Sequence, residues 1–247
     1  MFAEIPGVEV VDFSNGEVNA LTSETVDKLI LGLRKIRRET RIVLLKSKGS
    51  RAFCAGASFD EIKSVQSSKE SISFFEKIAQ LYLAIRNTEA VVVARVQGKA
   101  VGGGVGLIAC SDYVFATQNA AVRLSELDLG IGPLIIEPIL RRRMGVAATS
   151  ELALSREWRD SAWCKQRGLF QDIEAVSEGQ LDVRLAAFIQ ELASKDVDAV
   201  REVRRALWQG APDWSQLLME RAKGSGELWW KQKEILLRLN NVGSPKA

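Results

Sequence analysis

Short apolar runs alternate with amphipathic stretches over the first two-thirds of the chain. Compact apolar runs, as at 42–45 and 91–96, predict buried β-strands, and the short run at 8–11 predicts an edge strand. Elsewhere apolar residues recur every three or four positions, which predicts helices with one buried face. Thr22 and Ser23 are suitable N-caps for the first helix. The predicted strands are 8–11, 42–45, 91–96, 113–116 and 122–124, and the predicted helices pass through 26–33 and 72–85.

From about residue 135 the pattern becomes mostly helical, with a break at 210–212. The predicted helices of this part are 181–192, 197–208 and 227–239. Strands that alternate with helices and then give way to helices predict an α/β fold with a helical tail. We therefore divide the chain into a core, 1–190, and a helical C-terminal region, 191–247.

The composition is that of an ordinary globular protein and gives no sign of nucleic-acid or membrane binding. Of the 247 residues, 47% are hydrophobic and 26% are charged. The formal charge of +3 comes from 34 basic and 31 acidic residues spread along the sequence, which argues against a nucleic-acid partner. The longest apolar stretch, 91–110, is interrupted by Arg95, Gln97 and Lys99, so it does not predict a membrane span.

Cysteine usage and the N-terminal sequence predict a cytoplasmic protein. Cys54, Cys110 and Cys164 are odd in number and form no CxxC pair, which points to a reducing compartment without structural disulfides. The start, MFAEIPGVEVVDF, lacks the basic and then apolar pattern of a secretory signal.

The absence of histidine restricts the possible chemistry. The sequence contains none, which excludes Ser-His-Asp and Cys-His catalysis and removes a common ligand of zinc and iron sites. Any acid–base step must therefore use a carboxylate, Lys, Tyr, Cys or the backbone, and we predict no metal site.

Three segments could carry chemistry, and the first follows the strand predicted at 42–45. It reads RAFCAGA from residue 51, and its small residues Ala55, Gly56 and Ala57 would let a ligand approach the backbone and bind a free N–H. An ordinary turn from a strand into a helix is the alternative. Taken alone, this segment favours the turn.

The second segment is a run of glycines, GGGVG at 102–106, after the strand predicted at 91–96. Gly102 and Gly103 permit unusual backbone angles and close approach, and the positive end of the following helix dipole would point at a ligand there. A dinucleotide-binding loop is the alternative. It is weakly supported, because the GxGxxG spacing is missing and the strand does not open a βαβ unit.

The third segment, LSELDLGIGP at 124–133, holds Glu126 and Asp128 between a predicted strand and a Gly/Pro-rich loop. Catalytic groups often lie on such loops, where a rigid scaffold positions them. A lone glutamate in this setting is more commonly a solvated turn residue, so this segment alone identifies no function.

Together, the three segments resemble the signature of the enoyl-CoA hydratase/isomerase (crotonase) family in order, spacing and flanking residues. The resemblance is strong from residue 42 to about 145, and in motif it is closest to the methylglutaconyl-CoA hydratase-like subgroup. It implies a crotonase-like spiral of ββα units with a helical C-terminal oligomerisation region, and places the acyl-CoA site in the core, 1–190. It also implies assembly into a homotrimer or hexamer.

Carried over by position, the resemblance implies roles for residues of all three segments. The backbone N–H groups of Ala57 and Gly103 would form an oxyanion hole for a thioester, and Glu126 would act as the catalytic acid/base. The residues expected to bind the coenzyme A thioester are Ala55, Gly56, Ala57, Gly102 and Gly103.

The activity that the resemblance implies is that of an acyl-CoA hydratase or isomerase. The substrate would be an acyl-CoA or another pantetheine thioester, with no cofactor beyond the coenzyme A thioester itself. Phe59, Ile62 and residues 134–136 would line its acyl pocket.

One position departs from the family pattern. Many hydratases of the family have a second glutamate two residues after the glycine triplet, where this chain has Gly106. Asp128 and Glu137 are nearby candidates for a replacement, although Asp128 would point to the opposite face from Glu126 if this segment is partly extended. Dienoyl-CoA isomerases need acids at the positions of Gly106 and Leu134, so that activity is disfavoured. The alternative function is a catalytically degenerate crotonase-like protein that binds acyl-CoA or acts as a scaffold.

Other notable residues have structural explanations. The arginines at 141–143 would form a solvated helix face, and Cys54 would be a small buried residue. Trp229, Ile235 and Leu236 make the C-terminal helix too apolar for a lone solvated segment, which favours an oligomer.

Overall fold

The computed structural model describes residues 2–211 and 213–242 of the chain. Within these ranges the chain forms nine strands, nine α-helices and two short 3-10 helices. The strands are β1 Val8–Asp12, β2 Ile42–Lys46, β3 Ala52–Cys54, β4 Val91–Val96, β5 Lys99–Val101, β6 Tyr113–Thr117, β7 Ala121–Arg123, β8 Arg159–Asp160 and β9 Asp172–Ala175. The helices are α1 Ser23–Arg34, α2 Phe59–Ser64, α3 Ser68–Asn87, α4 Gly103–Cys110, α5 Glu137–Leu154, α6 Ser161–Gln166, α7 Glu178–Ala193, α8 Val197–Leu207 and α9 Trp214–Val242.

The strands form two sheets, and the chain crosses from one sheet to the other repeatedly. β2, β4 and β6 lie side by side in a parallel five-stranded sheet of order β1-β2-β4-β6-β9. The strand that follows each of them joins a second sheet of order β3-β5-β7-β8. Helical structure follows each pair of strands, which produces a spiral of ββα units. The α/β class and the spiral that the sequence predicted are confirmed.

The five-stranded sheet is buried on both faces, which explains why its central strands are so apolar. In β2, Ile42, Val43, Leu44 and Leu45 are all fully buried. Successive side chains of a strand point to opposite faces of the sheet. Ile42 and Leu44 therefore pack with Leu181 of α7, whereas Val43 and Leu45 join the main core with side chains of the second sheet and α3.

The interpretation of the region after residue 135 as mostly helical is wrong at two places. β8 and β9 lie there, and β9 pairs with β6 to complete the larger sheet. The sequence of β9, DIEA, is too polar to indicate a strand, and only its pairing with β6 makes it one. β3 and β5 are three residues each and too short to give a periodic pattern, so neither is predicted from the sequence.

The C-terminal helix is longer than predicted, because α9 begins at Trp214. Within the predicted break, Gly210 has φ +74°. Pro212 and residues 243–247 of the predicted C-terminal region lie outside the described residues. The boundary drawn at residue 190 falls inside α7, and the division into two regions stays a prediction. No helix in the described ranges is both long and apolar enough to cross a membrane.

Helix α9 packs antiparallel along α3. Trp214 at the start of α9 lies near the end of α3, where the Arg86 guanidinium carbon is 5.9 Å from its ring centroid. Gly226 lies against the start of α3, and a Cβ on Gly226 would be only 2.5 Å from the Ile72 Cα. The Ser71 hydroxyl donates a hydrogen bond to the Gly226 carbonyl (2.8 Å). The middle of α9 is thereby held close to α3.

Candidate active site

The structure brings all the predicted site residues together around one pocket. The loops that follow β3, β5 and β7 form part of its wall, and α2, α3 and α9 form the rest; it encloses about 90 Å³. The predicted residues that line it are Ala55, Gly56, Ala57, Gly102, Gly103 and Glu126.

The loop after β3 leaves the backbone N–H of Ala57 free at the pocket wall. Leu21 forms an isolated parallel bridge with Ala57, in which the Leu21 N–H donates to the Gly56 carbonyl (2.8 Å) and the Ser58 N–H donates to the Leu21 carbonyl (3.0 Å). The Ala57 N–H itself has no hydrogen-bond partner among the described residues. Gly56 has φ +86°, and a Cβ there would lie 2.7 Å from the Val101 carbonyl oxygen, so this turn requires glycine.

The glycine run places a second free N–H beside the first. Gly102, with φ +49°, turns the chain from β5 into α4, whose first residue is Gly103. The N–H groups of Val105 and Gly106 donate to the Gly102 carbonyl, whereas the Gly103 N–H has no partner in the described chain. The two free groups are neighbours, because a Cβ on Gly103 would lie 3.4 Å from the Ala57 nitrogen.

Glu126 brings a carboxyl group to the same wall of the pocket. It opens a short 3-10 helix, Glu126–Leu129, just after β7. Its Oε2 accepts a hydrogen bond from the Ser125 N–H (2.9 Å), and its Oε1 would be 2.7 Å from a Cβ on Gly102. Burial raises the pKa of Glu126 to about 7, although backbone hydrogen bonds act in the opposite direction. The carboxyl group therefore lies beside the glycine turn and changes charge near neutral pH.

Comparison of the chain with known proteins identifies its family. The family model described as Enoyl-CoA hydratase/isomerase matches residues 4–222. The chain belongs to the enoyl-CoA hydratase/isomerase family.

Relatives and solved structures agree with this assignment. The chain is 30% identical to a probable enoyl-CoA hydratase of Rhodobacter capsulatus, over 90% of this chain and 86% of that protein. It is 27% identical to a (7aS)-7a-methyl-1,5-dioxo-2,3,5,6,7,7a-hexahydro-1H-indene-carboxyl-CoA hydrolase of Mycobacterium tuberculosis, over 82% of this chain and 81% of that protein. The crystal structure of an enoyl-CoA hydratase from Bacillus anthracis superposes with a TM-score of 0.79 at 25% identity, covering 98% of this chain and 96% of that one.

Membership of this family makes the chain an enzyme of the hydratase/isomerase type that acts on acyl-CoA thioesters. The family model distinguishes no subgroup, so the methylglutaconyl-CoA hydratase-like assignment stays a prediction.

The family's second acid has no space in this chain. A Cβ on Gly106 would lie 2.3 Å from the Tyr82 hydroxyl oxygen and 2.7 Å from Ile136 Cγ2. Tyr82 is fully buried, and its hydroxyl donates to the Gly103 carbonyl (2.9 Å). Burial also raises the pKa of Tyr82 well above its ordinary value, so the phenol stays protonated. Tyr82 thus occupies the space into which a side chain at Gly106 would project.

The two candidate replacements for the second acid lie outside the pocket wall. Asp128 is paired with Arg123 (2.9 Å) and Arg156 (2.7 Å), and Glu137 with Arg141 (3.3 Å). Asp128 does not line the pocket, and the segment that carries it is a 3-10 helix rather than the partly extended one on which the expectation depended. Among the described residues, Glu126 is the one acid that lines the pocket.

The rest of the pocket wall is mostly apolar. Phe59, Ile62 and residues 134–136 line it, as predicted. Further residues that line this wall, and that were not predicted from the sequence, are Phe75, Ile78 and Tyr82 of α3 and Ser225 of α9. The helical spacing of Phe75, Ile78 and Tyr82 predicted a buried stripe, but it contained no signal that the stripe faces a site.

Cys54, Trp229 and Arg143 have structural rather than catalytic roles. Burial raises the pKa of the Cys54 thiol to about 12, so it is no nucleophile. The Trp229 ring N–H donates to the Ile62 carbonyl (3.0 Å), which places this tryptophan in the core. The solvated face predicted for 141–143 is wrong at Arg143, which is partly buried and binds the carbonyls of Ser111, Gly168 and Leu169.

Proposed function

We propose that this chain is an acyl-CoA hydratase or isomerase that stabilises a thioester enolate. The observation that carries the proposal is the grouping of two unpaired backbone N–H groups, on Ala57 and Gly103, with the buried carboxyl of Glu126 around one apolar pocket. These are a pair of oxyanion donors and one proton carrier, which is what enolate chemistry requires.

The reaction begins when the thioester oxygen accepts hydrogen bonds from Ala57 and Gly103. The ionised Glu126 carboxylate removes a proton from a carbon next to the double bond or the carbonyl, and the electron pair moves onto the thioester oxygen. The N–H donors are fixed by the fold, so they stabilise the negative charge without reorganising. Returning the proton from Glu126 to a different carbon moves the double bond.

The filled space at Gly106 supports chemistry that needs only one carboxylate. Isomerisation needs one group that carries a proton between two carbons, and Glu126 with a pKa of about 7 suits both steps at neutral pH. Hydration must also orient a water molecule. With Tyr82 in place of a second acid, we expect hydration to be slower or limited to fewer substrates.

The remaining features of the proposal follow from the family resemblance. The thioester is carried by coenzyme A or by another pantetheine, and no cofactor beyond the thioester takes part. The enzyme assembles into a homotrimer or hexamer. The cysteine usage, rather than the resemblance, points to the cytoplasm. A catalytically degenerate acyl-CoA-binding or scaffold protein is the second candidate, favoured by the missing acid at Gly106 and opposed by the retained Glu126.

Gly103→Pro tests the oxyanion hole. Proline is tolerated at the first residue of a helix and removes the N–H there, while its ring carbons occupy space next to the Ala57 N–H. We expect kcat/KM for the best acyl-CoA substrate to fall by about 10²–10³. Gly103→Ala is the matched control, since it keeps the N–H and its Cβ would be 3.2 Å from the flexible Leu21 Cδ1. Wild-type turnover by a folded Gly103→Pro enzyme would refute the assignment.

Solvent-deuterium exchange at the substrate α-carbon separates the enzyme from the scaffold alternative. The proposal expects acyl-CoA to bind and its α-hydrogen to exchange. Binding without exchange, hydration or isomerisation across a panel of acyl-CoAs would favour the degenerate protein.

A further inference from the structure

Helix α9 contributes one polar side chain to the pocket that the proposed reaction does not use. Ser225 is 2% exposed and lines the pocket. Serines inside helices commonly donate to the carbonyl four residues earlier, as Ser111 does to Leu107. The Ser225 hydroxyl has no hydrogen-bond partner in the part of the chain that the structure describes, and its oxygen is open to the pocket rather than fully buried. Ser225 therefore has an unused hydrogen-bonding group at the pocket.

Helix packing does not explain this hydroxyl. The close approach of α9 to α3 is made by Gly226, which lies against Ile72 and accepts a hydrogen bond from Ser71. Alanine at position 225 would be smaller and a better helix former. Neither packing nor helix propensity therefore accounts for the serine, and its hydroxyl is open to whatever the pocket holds.

Ser225 lies toward the end of the pocket that is remote from the reaction centre. Tyr82 marks the reactive end of α3, because its hydroxyl binds the Gly103 carbonyl. α9 runs antiparallel to α3, and Gly226 lies beside Ile72. Measured along the axis of α3, Ser225 is therefore within about one helical turn of Phe75. The seven residues from Phe75 to Tyr82 rise about 10 Å. An acyl chain that extends from the oxyanion donors along α3 would approach Ser225 with its distal part.

The surroundings restrict the chemistry of the group that Ser225 can bind. No lysine or arginine lines the pocket within the described residues, and Glu126 is its only ionisable acid. A distal carboxylate would be buried without a cation, which is costly. An uncharged oxygen needs only the hydroxyl.

We propose that Ser225 is a specificity residue that hydrogen-bonds an uncharged oxygen function, a hydroxyl or a ketone, on the distal part of the acyl group. This inference rests on the proposed function, because it assumes that the pocket holds the acyl chain of a thioester.

Calorimetric binding of matched, saturated CoA thioesters tests the proposal without requiring turnover. Each pair has the same chain length, and one member carries a distal ketone or hydroxyl. We expect the wild-type enzyme to bind the oxygenated member about 3- to 10-fold more tightly, the usual worth of one neutral hydrogen bond. Ser225→Ala should abolish that preference, so that the two members of a pair bind with the same affinity. Ser215→Ala, an exposed serine on the same helix, should keep the preference.

Three further results are decisive. A preference of the same size in wild type and Ser225→Ala, or none in wild type, overturns the role of Ser225. A wild-type protein that binds no CoA thioester at all instead overturns the proposed function. Tighter binding of a distal carboxylate than of the ketone contradicts an uncharged ligand group. If Ser225→Ala fails to fold, Ser225→Cys keeps the size with a weaker donor and should reduce the preference.

Discussion

Glu126 is the residue on which the chemistry depends. It is the one acid lining the pocket in the described chain, and its burial holds its pKa near 7. We expect Glu126→Gln to lower kcat by about 10²–10⁴ while acyl-CoA still binds. Because proton removal needs the carboxylate, the wild-type rate of α-carbon deuterium exchange should rise with pH up to about 7 and then level off. This limb of the pH profile should be absent in the variant.

Asp128→Asn is the matched control for this experiment. Asp128 lies on the same 3-10 helix but is paired with arginines outside the pocket wall, so its loss should leave the rate nearly unchanged. If Glu126→Gln exchanged deuterium like the wild type, the proton carrier would have to be another group.

The pH dependence of the free energy of unfolding gives an independent check on the raised pKa of Glu126. The pKa of Glu126 is raised from 4.5 to about 7, so its contribution to stability is lost as pH rises through this interval. Glu126→Gln should therefore be the more stable protein at pH 8 and lose that advantage at pH 4.

The side chains packed around Gly106 limit which residues can replace this glycine. The sequence alone suggests that a glutamate at this position could restore the family's second acid. The structure excludes that change in the present background, because Tyr82 and Ile136 lie within 2.7 Å of any Cβ there. Restoring the acid would require removal of the Tyr82 side chain and a shift of Ile136 as well.

At the scale of elements, the contact between α3 and α9 closes one side of the pocket. Gly226 meets the Ile72 backbone, which cannot move aside as a side chain could. We expect Gly226→Ala to lower the free energy of unfolding by about 1–3 kcal/mol, the usual cost of overpacking. It should also raise KM for acyl-CoA, since α9 carries part of the pocket wall. Thermal unfolding and steady-state kinetics measure the two effects.

Gly224→Ala provides the comparison on the same helix. A Cβ on Gly224 has nothing within 4 Å, so alanine there should stabilise α9 by up to about 1 kcal/mol. If Gly226→Ala and Gly224→Ala changed the free energy of unfolding equally, the contact of Gly226 with α3 would not contribute to the packing of α9.

At the scale of the whole molecule, apolar side chains remain on the surface. Trp229 does not contribute to this surface, contrary to the sequence analysis, because it is buried within its own chain. Ile235 and Leu236 of α9 are exposed, and Leu154 of α5 is 75% exposed. We expect a homotrimer or hexamer in solution, in which part of this surface is covered. Light scattering at micromolar concentration should give a multiple of the 27.2 kDa chain mass, and a monomeric mass would contradict the prediction.

The sequence by itself determined the parts of this protein that depend on local pattern. The compact apolar runs predicted β2, β4 and β6, because a strand buried on both faces needs apolar residues throughout. The short run at 8–11 predicted β1, the edge strand. Helical spacing predicted α1 and α3. Glycine at 56 and 102 identified the two loops of the site, because the backbone angles there disfavour other residues.

Only the tertiary structure decided the features that depend on neighbours distant in the sequence. β9 is a strand because β6 provides its partner, and Tyr82 fills the space at Gly106 although 24 positions of sequence separate them. The place of Ser225 in the pocket follows from the packing of α9 on α3, which no local pattern records. The preference of a segment for a helix, strand or turn depends on consecutive residues. The shape and polarity of a pocket instead depend on side chains that come into contact only after folding.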